Sequence, residues 1–329
     1  MQKPTVLTLV ASFAALVALT AMPASAKVSG ANGRIAFGRE DYSLGDTVTY
    51  TMNPDGSNVQ PLLPAGFTSG SPHWSPDGSQ LAVTSGLGVP CPPTTCTGNT
   101  VIVNPDTGGY RVLTAHGLPT VGTWCSIWSP DGTHFACEGG SDSDSSRAGI
   151  YTIRSSDGGG LTRITNAEGA RDIPIDYSPD GSQIVFGRVD PDDHHCTTRS
   201  ALYVVNVDGS GLHRITPWGF CDDDGSWSPD GTEIAFVKPD ASMFHDGSIF
   251  VVHPDGTDLT KIPLATKSRS SAGDVSWSPD GKKIVFILST RTTLEGIATA
   301  NADGTDVQQI TSSPTFDHQA DWGPHPITP

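Results

Sequence analysis

Short β-branched and aromatic runs alternate with polar turn signals along this chain, and no helical period separates them. One phrase recurs. "HWSPDGSQLAV" starts at His73, "IWSPDGTHFAC" at Ile127, "DYSPDGSQIVF" at Asp176, "WSPDGTEIAF" at Trp227 and "SWSPDGKKIVF" at Ser276, with a shortened form, "ADWGP", at Ala320. A second phrase alternates with the first, as in "YTMNPDGSNVQPL" from Tyr50, "LYVVNVDGSGLHRIT" from Leu202 and "IATANADGTDVQQIT" from Ile297. In S-P-D-G, proline presets φ at the second turn position, while serine and glycine suit the first and fourth. Each phrase therefore predicts a β-hairpin.

Two hairpins per repeat predict a four-stranded antiparallel sheet. The aromatic residues Trp74, Trp128, Tyr177, Trp227, Trp277 and Trp322 recur at spacings of 54, 49, 50, 50 and 45. A period near that length indicates a solenoid, a propeller or an array. The expected fold is all-β: a single six-bladed propeller of four-stranded antiparallel blades, with those aromatics packed between neighbouring blades. A linear β-solenoid is the alternative, but its repeats are usually shorter. "NGRIAFGR" from Asn32 supplies only the second half of the first phrase, and "HQADWGP" from His318 only the first half. The N- and C-terminal strands are thus expected to share one blade and close the ring.

The first residues read differently. Lys3 is a positive n-region, Val6 to Leu19 an apolar core and Ala24-Ser25-Ala26 a small-x-small cleavage site, the pattern of a signal peptide. The apolar run is short for a membrane span. Residues 1–26 are expected to be removed after Ala26, leaving a propeller domain over 27–329 with no membrane segment, exported to the periplasm or the cell exterior. No Cys follows the cleavage site, so no lipid anchor is expected there.

Export makes the six cysteines readable as disulfides. Cys125 and Cys137 flank one S-P-D-G turn near-symmetrically, as cross-strand partners would. Cys196 falls in a loop inside one repeat and Cys221 in the next inter-repeat link. The expected pairs are Cys91–Cys96, Cys125–Cys137 and Cys196–Cys221, the main alternative being Cys96–Cys125.

Composition narrows the partner class. The 329 residues include 37 Gly and 26 Pro, and the net charge is −16. Much of the acidity is Asp in turn phrases. Phosphate binding needs clustered Lys and Arg, and no such cluster is present, so nucleic acid is not an expected partner. A monomer is expected.

The W-S-P-D-G-x-x-I-A-F phrase, followed by Y-V-x-N-x-D-G, resembles the WD40-like repeats of TolB-type β-propellers. It is also similar to the propellers of prolyl oligopeptidase and dipeptidyl peptidase relatives. The resemblance covers roughly residues 31 to 323 and implies the propeller fold; propellers host many functions. TolB carries an α/β domain ahead of its propeller, whereas these repeats begin within a few residues of the expected cleavage site. The peptidases add a hydrolase domain with a G-x-S-x-G elbow, a pentapeptide absent from this sequence.

Antiparallel topology sorts the loops by face. The S-P-D-G and N-x-D-G turns form one short-looped face. The opposite face collects irregular segments such as "SGLGVPCPPTTCTGN" from Ser85, "RVDPDDHHCTTRS" from Arg188 and "TPWGFCDDDGS" from Thr216. Loops on a rigid scaffold commonly carry binding groups. The densest polar cluster there is Asp190, Asp192, Asp193, His194 and His195, with Asp222, Asp223 and Asp224 brought near by the expected Cys196–Cys221 bridge. Carboxylates suit Ca²⁺, and imidazole with carboxylate suits a transition metal. The spacing matches no named metal motif, and a solvated acidic loop is the expected reading, with Ca²⁺ or a transition metal the alternative; no cofactor is expected. His245 beside Asp246 and His318 beside Asp317 are weaker binding candidates.

These readings give a binding module engaging a protein or peptide in the cell envelope or outside the cell, through the loop-rich acidic face or the central channel, without catalysis. The alternative is a metal-dependent polysaccharide lyase-like enzyme at the channel mouth using His194, His195, His245, His318, Arg171 and Arg188. An envelope scaffold assembling several partners is a third reading.

Overall fold

The computed structural model describes residues 30–324 apart from 42–45, 65–66, 86–98, 115, 118–123, 141–144, 168, 191–199, 221–223, 241–242, 267–269, 291–294 and 313–315. The protein is an all-β propeller. One four-stranded sheet runs β24 (Asp317–Trp322), β1 (Ile35–Asp41), β2 (Asp46–Met52), β3 (Gln60–Pro61), so the two ends of the described chain share a sheet. The next comprises β4 (Gly70–Trp74), β5 (Leu81–Ser85), β6 (Asn99–Val103) and β7 (Tyr110–Leu113). A third comprises β8 (Trp124–Trp128), β9 (His134–Gly139), β10 (Gly149–Arg154) and β11 (Thr162–Arg163). A fourth comprises β12 (Arg171–Tyr177), β13 (Gln183–Val189), β14 (Ala201–Asn206) and β15 (His213–Arg214).

The remaining strands overturn the expectation of six separate blades. They are β16 (Gly225–Trp227), β17 (Ile234–Asp240), β18 (Met243–Val252), β19 (Thr260–Lys261), β20 (Ser270–Trp277), β21 (Lys283–Thr290), β22 (Gly296–Asn301) and β23 (Gln308–Gln309). They form one eight-stranded sheet, so only four blades are discrete four-stranded sheets. The physical cause is an open strand edge. β19 pairs with β18 only at Phe250 and Val251, and the edge beyond it meets β20 through Gly247 and Ala272. The ten-residue β18 runs past the short β19, and the edge left unpaired there recruits a strand within reach.

The recurring turn phrase is a closed hydrogen-bond network. The hydroxyls of Ser75, Ser129, Ser178, Ser228 and Ser278 donate to Asp77, Asp131, Asp180, Asp230 and Asp280 at 2.6–2.7 Å. Each serine oxygen also accepts the backbone N–H five residues on, at 2.9 Å. Each aspartate accepts the N–H two residues on, at 2.9–3.1 Å. The turn glycines take positive φ, as at Gly181 (72°) and Gly231 (75°), which glycine adopts without steric cost. The N-x-D-G phrases use the same logic: Asp55 accepts from the N–H and hydroxyl of Ser57, and Asp303 from those of Thr305.

Sheets are held to one another by the recurring aromatics. Each sits in a buried apolar cluster drawn from consecutive repeats. Trp128 packs with Ala82 and Ile102, Tyr177 with Ile127 and Ile150, and Trp227 with Ile175 and Leu202. Trp277 packs with Ala235 and Ile249, Trp322 with Val285 and Ile297, and Trp74 with Ala36. All six are at most 7% exposed. Truncating such a side chain costs about 3–5 kcal/mol.

Cys125 and Cys137 are bonded across β8 and β9, with Cα atoms 4.1 Å apart. Cys91, Cys96, Cys196 and Cys221 lie outside the described residues.

Two outcomes are expected. The turn carboxyls of Asp77, Asp131, Asp180, Asp230 and Asp280 ionise below the ordinary value of 3.8. For Asp180 the leading cause is the Ser178 hydroxyl. In the other four, burial opposes ionisation and the hydrogen bonds outweigh it. A carboxyl lowered by folding contributes stability that is complete above its unfolded value and lost as pH falls through the folded one. The melting temperature should therefore fall steeply below about pH 4, and the Ser178→Ala variant should show a shallower fall when melting is followed from neutral pH downward. Separately, the Cys125→Ala, Cys137→Ala double variant should lose about 2–4 kcal/mol, read as a lower denaturant midpoint at unchanged slope.

Candidate functional site

The strands nearest the propeller axis are β4, β8, β12, β16, β20 and β24, each ending at its turn phrase. Together they line a narrow central cavity of about 60 Å³. Its wall carries Asp176, Asp224, Asp274 and Asp321, with His73 and Gln319, and no Lys or Arg. These residues fall one or three positions before the recurring aromatic. In most copies both positions reach the channel and are polar, the exceptions being Ile127, Cys125 and Pro174, so polar side chains line it at two levels.

Much of the first level joins neighbours. Asp321 accepts the Trp74 N–H at 2.8 Å and the Ser276 hydroxyl at 3.0 Å. Asp176 accepts the N–H groups of Trp227 at 2.9 Å and Tyr177 at 2.8 Å. Ser226 accepts the Trp277 N–H at 3.3 Å, and Ser276 the Trp322 N–H at 3.4 Å. The side chain before one aromatic thus caps the backbone of the next. Removing such an acceptor strands a partly buried N–H, at a cost of about 1–3 kcal/mol.

The second level holds strained backbone. Ser71, Asp274 and Gln319 occupy the same repeat position and have φ of 47°, 36° and 53°. Non-glycine residues there cost about 1–3 kcal/mol each and persist only where surroundings impose them. Here the surroundings are hydrogen bonds in series: Asp274 accepts the Gln319 N–H at 2.6 Å, and Gln319 Oε1 accepts the Ser71 N–H at 2.9 Å. The strands bulge at these points, which re-aims side chains into the channel.

Of the expected site residues, Asp224 lies in this cavity. Asp192, Asp193, His194, His195, Asp222 and Asp223 lie outside the described residues, as does the side chain of His245. His318 is half-buried over Gly38, where a Cβ would meet its ring at 2.6 Å. Its neighbour Asp317 is fully buried and engaged by Arg39, at 2.6 and 2.9 Å. The same arrangement recurs at Arg188 and Asp172, at 2.7 and 2.8 Å, with the guanidinium over the Phe186 and Tyr203 rings. Arg171 is held by Glu138 at 2.8 Å. Both lyase-type arginines are therefore committed to carboxylates of the chain itself. Among the described residues no group of three or more His, Cys, Asp or Glu is arranged to hold a metal ion, and no helix is long and apolar enough to cross a membrane.

Asp176, Asp274 and Asp321 were not among the expected site residues. Aligning the repeats on their aromatic would have found them, because the positions before it vary in size but stay polar in most copies: His73, Asp176, Ser226, Ser276 and Asp321, with Ile127 the exception.

Comparison with known proteins places this geometry. An uncharacterized protein of Agrobacterium fabrum, Atu1656, is 33% identical over 190 residues, which is 46% of this chain and 59% of that relative's length. Among solved structures, TolB of Acinetobacter baumannii superposes with a TM-score of 0.65 at 19% identity, covering 90% of this chain and 67% of its own. A protein of Agrobacterium tumefaciens assigned as TolB gives 0.61 at 17%, covering 90% and 100%. An oligogalacturonate lyase solved with manganese gives 0.51 at 15%, covering 87% and 75%. At these identities the structures share the fold alone. The sequence profile of the TolB beta propeller domain matches residues 28–248, more than half of the chain, and the chain belongs to that family.

Proposed function

We propose that the chain is an exported binding module whose central channel receives a cationic, extended segment of a protein or peptide, without catalysis. The observation that carries this reading is the channel wall: four carboxylates, three from inner strands and Asp224 just before a fourth, with no Lys or Arg among the described lining residues. A narrow acidic cavity with low-dielectric walls concentrates positive charge. A fixed ring of strands needs little rearrangement on binding. The encounter would take place in the periplasm or outside the cell, a reading supported by the signal-peptide pattern over residues 1–26.

The test uses a fluorescent Lys/Arg-rich decapeptide and its Glu-substituted counterpart with the purified 27–329 chain. The basic peptide should bind saturably, weaken as salt rises, and lose about tenfold in affinity on Asp224→Asn. Equal binding of both peptides, or unchanged affinity in the variant, would overturn the channel reading. Turnover of an acidic polysaccharide by the purified chain would overturn the non-catalytic one.

A further inference from the structure

A second cavity lies at the opposite, short-looped end, between two successive S-P-D-G turns. It has a volume of about 310 Å³ and is lined by Pro130 and Asp131 of one turn, Tyr177, Asp180 and Gly181 of the next, and His134 and Val207 beside them. Its position follows from the one break in the aromatic repeat: Tyr177 stands where the other copies have Trp. In the following repeat the Trp227 indole N–H donates to the carbonyl of its own turn glycine, Gly231, at 3.2 Å. Tyrosine lacks both that N–H and the second ring. The equivalent glycine, Gly181, lines the cavity instead.

The cavity is chemically equipped. Tyr177 is 3% exposed, and its backbone N–H donates to Asp176, while no described residue hydrogen-bonds its side chain. Its hydroxyl therefore faces the cavity without a protein partner. Burial, followed by the nearby Asp131 charge, pushes its ionisation well above the ordinary phenol range, so it stays a donor or acceptor at any physiological pH. Asp131 and Asp180 both spend Oδ1 on their own turns. Both carboxyls are held below the ordinary range and are anionic at neutral pH. Val207 is 38% exposed and, with Pro130, adds apolar wall.

We propose that this cavity is a binding site for a small organic cation, an alkylammonium group on an aliphatic stem. The ammonium would lie between Asp131 and Asp180, the stem against Pro130 and Val207, and the Tyr177 hydroxyl would close the floor. The volume is at the lower end of small-molecule sites. A free amine and a lysine side chain share this chemistry. The site is separate from the channel and does not rest on the channel's proposed role.

The experiment is ligand-observed NMR titration of the 27–329 chain with n-butylammonium, with N-acetyl-lysine methylamide as the lysine arm and n-butanol as the neutral isostere. Either cation should bind saturably and butanol should not. Tyr177→Trp restores the repeat and fills the cavity, so binding should fall about tenfold or more while the melting temperature holds or rises. Asp131→Asn with Asp180→Asn should give a comparable loss from the removed charge-assisted contacts. Should the tryptophan variant fail to fold, the double Asn variant decides. Absence of saturable binding by both cations, equal binding of butanol, or full affinity in the folded variants would overturn the proposal.

Discussion

Each sheet of this propeller is too small to stand alone, and the aromatic at the end of each inner strand is what joins it to its neighbour. The outermost strands of five of the six repeats are two residues long. Isolated sheets of that size leave both faces wet. The aromatic side chain inserts into the apolar face of the preceding repeat, and its backbone N–H is in several cases taken by a polar side chain of that same repeat. Apolar burial and hydrogen-bond satisfaction therefore act at one residue. Apolar burial supplies most of the energy, at about 25 cal/mol per Å². The capped N–H fixes the angle at which neighbouring sheets meet.

The turn phrase serves this constraint. The serine, aspartate and glycine of S-P-D-G satisfy one another within six residues, so the aromatic just before them is delivered at a fixed height. Proline adds a contact between repeats: a side chain at Gly181 would press on Pro130 at 3.3 Å, and one at Gly231 on Pro179 at 3.6 Å. Successive turns therefore touch around the short-looped face. Replacing one aromatic by a smaller one opens that face locally, as at Tyr177, without disturbing the turns on either side.

The acidic channel is a by-product of the same register. With the aromatic facing the preceding sheet, the residues one and three before it face the axis in most copies. Polar side chains there cap neighbouring backbone, and aspartate does so with charge to spare. The strained conformations at Ser71, Asp274 and Gln319 occur on this wall, where side-chain hydrogen bonds between strands hold them. One set of atoms both caps the backbone and makes the channel wall acidic.

The repeat phrases by themselves determined the all-β fold, the hairpins and the aromatics, because turn chemistry and strand composition are local and were written six times. They also placed the Cys125–Cys137 bridge, since two cysteines flanking one hairpin turn have few other geometries. They did not determine how the sheets divide. That depended on the ten-residue length of β18, which runs past β19 and meets β20 at the Gly247–Ala272 pair, so that the strands from 225 to 309 form one eight-stranded sheet. Nor did local composition mark the channel. Asp176, Asp274 and Asp321 are scattered over nearly 150 residues of sequence and converge only because the ring brings inner strands to a common axis. The acidic loop around His194 drew attention by density in the sequence, whereas the channel carboxylates gain their meaning from symmetry, which exists only in three dimensions.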